Sequence, residues 1–211
     1  MNSNLQGITK EDRITNILDA TFEVFSEFSF EDATTSEIAR RARVSKRDLY
    51  AYFPNKQALL IGTIVREMQR QDSSFRETIA KAAKLRSLRS KLELIGKAAV
   101  EDILSPTMEM VRRLVISESI RQPFLGSLFF EGGVVQRCKL VAEVLSEHLE
   151  KRTPARVIEA EKAAERYFSM IAYFPSTMAE IGMRGEWSAE EIKTHVAVET
   201  DTFLKAHTAY V

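Results

Sequence analysis

Apolar residues recur along nearly the whole chain at intervals of three and four, the spacing of one face of an α-helix. The first stripe runs from Asp12 to Phe28 through Ile14, Ile17, Leu18, Phe22, Phe25 and Phe28. A second begins after Asn55 and takes in Leu60, Ile61, Ile64, Val65, Met68, Phe75 and Ile79. A third passes through Leu85, Leu88, Leu92, Ile95, Ala99 and Ile103. Ser105-Pro106 opens another helix, because proline suits the first helical position. Met108, Val111, Leu114 and Val115 follow, up to Gln122-Pro123. "FLGSLFFEGG" reads as a short apolar segment that Gly132-Gly133 breaks. Val134 to Lys151 carries Val134, Cys138, Val141, Leu145 and Leu149 on one stripe. A long helix from Thr153-Pro154 to Gly182 should be kinked by Pro175, which removes a backbone N–H and crowds the preceding turn. Ser188 followed by Glu191 is a capping box for a last helix through Ile192, Val196 and Phe203. No stretch reads as a strand, so the pattern predicts an all-α chain.

Between Thr34 and Phe53 the pattern tightens. Thr34 with Glu37, and Ser45 with Asp48, are two capping boxes a few residues apart. Pro54 stops the second helix by pushing Phe53 out of the α region. Ile38 and Ala42 point inward from the first helix, and Ala39 is small where two helices must cross. Val44 plugs the turn, and Leu49 and Phe53 form the inner face of the second helix. This is the internal logic of a helix-turn-helix. Its second helix leaves Lys46, Arg47 and Tyr50 on the outer face, suited to base edges and phosphates in a major groove. Lys56 opens the next helix, where unpaired N–H groups and the helix dipole already favour an anion. Thr34, Thr35 and Ser36 either bond phosphate oxygens or, for Thr34, only cap the helix. Arg43 stands in the turn, where positive φ commonly favours glycine and a side chain costs on the order of 1 kcal/mol. The turn is therefore either strained or differently shaped, and the side chain adds a candidate phosphate contact.

Charge sharpens this. The chain of 211 residues has a formal net charge of +0. Lys10 to Asp32 nevertheless carries two basic and seven acidic side chains, whereas Glu37 to Lys56 carries six basic and two acidic ones. A local basic block on a neutral chain is either a solvated helix face or an electrostatic footprint for nucleic acid. Eight glycines and five prolines are few, consistent with helices and short loops. The single cysteine, Cys138, allows no intramolecular disulfide, which fits a reducing, cytoplasmic location; on its apolar stripe it is either packing or a redox sensor. The segment "MNSNLQGITKEDR" has no apolar signal core, and no apolar run approaches the roughly 18 residues of a membrane span. His148, His195 and His207 lack ligand spacing, so neither metal nor cofactor is expected. With no glycine-rich phosphate loop, nucleophile elbow or paired His/carboxylate motif, an enzyme is not expected either.

The segment "ILDATFEVFSEFSFEDATTSEIARRARVSKRDLYAYFPNKQALL", Ile17 to Leu60, resembles the N-terminal domain of tetracycline-repressor (TetR) family transcription regulators. The resemblance rests on paired phenylalanines in the first helix, "T-x-x-x-IA", "VSK-x-x-LY-x-YF" and "K-x-x-LL". It implies that Ser45, Lys46, Arg47, Tyr50 and Tyr52 belong to a recognition helix, and that Thr35, Ser36 and Lys56 contact the DNA backbone. Arg43 departs from the family's usual glycine.

Further along, "RLVISESIRQPFLGSLFFEGG" and "FLKAH" resemble the regulatory domains of a TetR subgroup. The implied organisation is a three-helix DNA-binding domain over residues 10–70, followed by an all-helical effector-binding and dimerisation domain over residues 71–211. Val134–Lys151 and Ile158–Gly182 are candidate dimer helices, or plain core stripes. Met68, Met108, Val111, Phe129, Phe130, Phe168 and Tyr173 are candidate lining for an effector pocket, or plain core. Arg112 and Glu118 are the polar residues to watch there, unless they are exposed or paired with each other. The expected function is a homodimeric repressor whose recognition helices, about 34 Å apart, meet a pseudo-palindromic operator in double-stranded DNA and let go when a small-molecule effector binds. An activator or a ligand-independent regulator of the same fold is the alternative.

Overall fold

The computed structural model describes residues 9–148, 154–183 and 187–207. Leu149, Lys151 and Thr153 lie outside them. The described residues form ten α-helices and one π-helical segment, without a strand. The chain divides into two compact units, Met1–Glu67 and Met68–Val211, with the division inside the fourth helix.

The first unit holds α1 (Lys10–Glu27), α2 (Thr35–Arg41), α3 (Lys46–Tyr52) and the start of α4 (Lys56–Ala82). A reciprocal capping box between Thr9 and Asp12 opens α1. Its apolar stripe is buried at Ile17, Leu18, Val24 and Phe25, while Phe28, expected on the stripe, is the helix cap and 44% exposed. Ile38, Ala39, Ala42 and Leu49 complete the core with Leu59, Leu60 and Ile64 of α4. Gly62 lets Phe53 lie against α4: a Cβ there would sit 2.9 Å from Phe53 Cε1. Arg66 ties α4 back to α1, donating to Thr15 O at 2.8 Å and pairing with Asp19 at 2.7 Å.

In the second unit α5 (Leu88–Ile103), α8 (Gln136–Ser146), α9 (Pro154–Glu180) and α10 (Ala189–Ala206) share one core, with α6 (Pro106–Ser119) and α7 (Pro123–Phe129) packed together beside it. At its centre Tyr167 is fully buried. Its hydroxyl donates to Leu92 O at 2.7 Å, so the 2.9 Å bond to Thr200 must use the Thr200 proton. Gly96 admits this: a Cβ would lie 2.5 Å from the Tyr167 hydroxyl and 2.8 Å from Val196 Cγ1.

Two expectations change here. The glycine pair does not break the chain: α7 continues through a π-helical segment, Phe130–Val135, directly into α8. The apolar stripe of α8 (Cys138, Val141, Ala142, Val144, Leu145) is buried in the core of its own unit, so it is not a free dimer face. Pro175 sits within α9, as its sequence position implies, and the Ile171 carbonyl that its missing N–H leaves without a helical partner is 3.0 Å from His195 Nε2 on α10. A carbonyl only accepts, so Nε2 carries the ring proton.

Candidate nucleic-acid interface and ligand cavity

The α2–α3 pair is built from local rules. Thr34 Oγ1 accepts from Glu37 N at 3.2 Å, and Ser45 Oγ accepts from Asp48 N at 3.0 Å. Both boxes stay half-formed. The Glu37 carboxylate instead takes Arg40 and Arg41, and Asp48 accepts from the Ser45 hydroxyl at 2.7 Å. Between the helices, Arg43 N donates to Arg40 O at 3.2 Å and Val44 N to Ala39 O at 3.0 Å. These two bonds define a Schellman turn. Arg43 occupies its left-handed position with φ 54°, the only positive φ at a non-glycine among the described residues. Of the two forms left open for this turn, the strained one is adopted. Asn16 of α1 closes the turn from outside by donating to Ala42 O; its long sequence separation hid it from pattern reading.

The basic block resolves into two halves. Arg40 is held by Glu37 at 2.6 Å. Arg41 bridges Glu37 at 2.8 Å and Glu27 of α1 at 2.5 Å. The guanidinium bonds hold Glu37 well below the usual carboxylate range, at about 2, Arg40 contributing most and Arg41 next. Lys56, expected to offer its ammonium to phosphate, turns it inward. Its three N–H groups reach Phe30 O, Glu31 O and Ala33 O at 2.6, 3.0 and 3.0 Å, and the ammonium lies 4.7 Å from the Phe30 ring centroid. Lys56 therefore pins the α1–α2 connection. What remains exposed and without an ion pair among the described residues is Arg43, Lys46 and Arg47, clustered at the start of α3. Tyr50 is 44% exposed, and its hydroxyl bonds Thr35 Oγ1 at 3.0 Å, joining the start of α2 to the outer face of α3. Ser36 and Ser45 are exposed and Tyr52 is half-buried.

In the second unit a cavity of about 600 Å³ opens among α5, α6, the α7–α8 rod and α9. Of the residues expected to line it, Met108, Arg112, Phe129, Phe130, Phe168 and Tyr173 do so. Val111 does not: it is fully buried in packing. Met68 borders a separate space of about 50 Å³ beside Phe129 and Gly132. Arg112 and Glu118 are both buried and not paired with each other. Half of the missed lining is polar: Asp102, Arg137, Glu165, Ser169, Ser176 and Glu180. Arg137 pairs with Asp102 at 2.5 Å across 35 residues of sequence. Cys138 also faces the cavity, but burial pushes its thiol up to about 11, so it stays protonated and unreactive near neutrality.

Comparison with known proteins agrees with both units. Residues 17–62 match the family model for bacterial regulatory proteins of the tetR family, and residues 90–209 match that of the AefR-like transcriptional repressor C-terminal domain. The chain belongs to the tetR family of bacterial regulatory proteins. Among curated relatives, the HTH-type transcriptional repressor KstR of Mycobacterium tuberculosis is 30% identical over 118 residues, 56% of this chain and 53% of that protein. The HTH-type transcriptional regulator UidR of Escherichia coli K12 is 35% identical over 79 residues, 37% of this chain and 40% of the relative. The match thus spans only a third to a half of the curated relatives' length. The fold extends further. A solved structure described as a TetR-family transcriptional regulator from Mesorhizobium loti superimposes with a TM-score of 0.84, covering 94% of this chain and 98% of that one at 19% identity. The flavonoid-responsive regulator FrrA gives 0.69 at 25% identity, with 93% and 97% covered. Among the described residues, no helix is long and apolar enough to cross a membrane.

Proposed function

We propose that this protein is a homodimeric transcriptional repressor that binds a pseudo-palindromic operator through α3 and leaves it when a small molecule occupies the second unit's cavity. The observation that carries this reading is the charge sorting on the helix-turn-helix. Arg40, Arg41 and Lys56 are spent on the fold, and Arg43, Lys46 and Arg47 are left facing solvent around the start of α3. An exposed helix start with three free cations and two tyrosines suits groove and phosphate contacts. Ser45, Tyr50 and Tyr52 extend that surface, and Thr35 and Ser36 offer hydroxyls from α2. Dimerisation falls to α9 and α10 rather than α8. Ile158, Tyr173 and Phe174 on α9 and Val198 on α10 are large apolar side chains left exposed. Effector release requires only that the ligand bind the DNA-incompetent state more tightly.

The test is selection of bound duplexes from random DNA, followed by affinity measurement on the recovered site. A two-fold symmetric site is expected, with Lys46→Ala and Tyr50→Ala each weakening it while the protein stays folded and dimeric. Wild-type affinity in both variants would remove α3 from the groove.

A further inference from the structure

The cavity wall contains one buried charge that has no ion-pair partner among the described residues. Arg112 is only 8% exposed, and its one hydrogen bond among the described residues runs from Nη2 to Ile103 O at 2.6 Å. Its Nε–H is buried with no acceptor among the described residues. The other guanidinium on the wall, Arg137, is matched by Asp102. Glu165 and Glu180 also border the cavity, but both are exposed to solvent. Desolvation pulls the Arg112 guanidinium below its ordinary range, with Glu180, Asp102 and Glu109 opposing this from a distance. Arginine nevertheless stays charged in proteins. A buried, unpaired cation costs several kcal/mol, and an apolar side chain of similar size would fill a purely structural position better. Beside its polar residues the wall also presents apolar and aromatic surface, with Met108, Phe129 and Phe168. Placed together, these groups form a pocket with a greasy body and one unsatisfied cationic donor.

We propose that the cavity takes an amphipathic monoanion, its carboxylate seated on the Arg112 guanidinium and its apolar body against Met108, Phe129 and Phe168. This rests on the reading of the cavity as the effector site. The guanidinium fork supplies the N–H groups that a carboxylate accepts, and apolar side chains beside the pair reduce its screening by water.

The experiment is calorimetric titration of the full chain with three probes sharing one apolar body: 2-naphthylacetate, 2-naphthylacetamide and 2-(2-naphthyl)ethylammonium. The carboxylate should bind about tenfold or more tightly than the amide. Arg112→Met should erase that preference while leaving amide affinity within about twofold. Arg112→Lys keeps the charge without the fork, so it should retain the preference at reduced affinity; this variant and the wild-type series decide the matter if Arg112→Met does not fold. Equal binding of amide and carboxylate, or tightest binding of the ammonium, overturns the anion site and leaves the cavity as an effector site. Binding of none of the three overturns both.

Discussion

Arg43 shows how a single residue can serve two ends at odds with each other. The Schellman turn asks for a left-handed residue, and arginine adopts φ 54° there instead of glycine. Arg43→Gly should therefore stabilise the protein by about 1 kcal/mol, read as a higher denaturant midpoint with an unchanged m-value. The same change removes a free cation beside α3, so operator affinity should fall and its salt slope should flatten by about one unit. Lower stability in the glycine variant would mean the turn is not strained. Lys56 is the opposite case. With its ammonium shared among three carbonyls, Lys56→Met should cost about 1.5–3 kcal/mol of stability and leave the salt slope of DNA binding unchanged. A flattened slope would return Lys56 to the phosphates. Sequence pattern exposed the inward positions Ile38, Ala42 and Leu49 because helical spacing is local. The destination of Lys56 was hidden, because the carbonyls it captures lie 23–26 residues earlier, in a connection without periodicity.

At the scale of elements, α9 survives its proline because α10 repairs it. His195 donates to the Ile171 carbonyl that Pro175 cannot reach, and its ring stands edge-on to Trp187 at 5.2 Å. His195→Ala should cost about 1–3 kcal/mol by leaving that carbonyl unsatisfied. Pro175→Ala restores a backbone N–H, so in that background the histidine change should cost distinctly less. A double-mutant cycle by chemical denaturation measures the coupling, and additive effects would show that the two residues act independently. Helix starts were the most readable feature of these elements: Ser188 with Glu191 forms a full capping box, and Ser105 with Pro106 caps α6 as expected. The α7–α8 rod was not readable. Gly132-Gly133 looks like a break, since glycine weakens a helix, and only tertiary support lets the chain pass through as a π-helical segment. For the same reason the polar part of the cavity escaped detection: Asp102, Arg137 and Glu180 come from three helices and meet only in the fold.

For the molecule as a whole, the helix-turn-helix is fastened by ion pairs at its surface, and acid should loosen it. Glu37 has an ordinary value of 4.5 and is held at about 2 in the folded chain by Arg40 and Arg41. A depressed folded value means that its contribution is fully present above about pH 4.5 and is lost as pH falls towards 2. Glu27, lowered by Arg41, and Asp201, lowered by Lys205 and Arg89, act with the same sign. Glu37→Gln should reduce the pH dependence of the denaturation midpoint within that window and leave the neutral-to-alkaline side flat. An unchanged acid slope would show that the Glu37 pairs carry no net stability. The π-helical segment has a consequence of another kind. Such a segment accommodates one residue more than the α-ladder around it, so deleting Gly132 or Gly133 offers a route back to continuous α-helix. Because the wider π turn takes up the roughly 100° that the extra residue would add in an α-helix, that deletion would keep Phe129 facing Arg137 and Cys138 much as before and would change only the wall between them. Loss or gain of a single codon would thus reshape the Phe130–Val135 stretch of the cavity wall while the helices on either side keep their facing, a change of pocket shape within one genetic step.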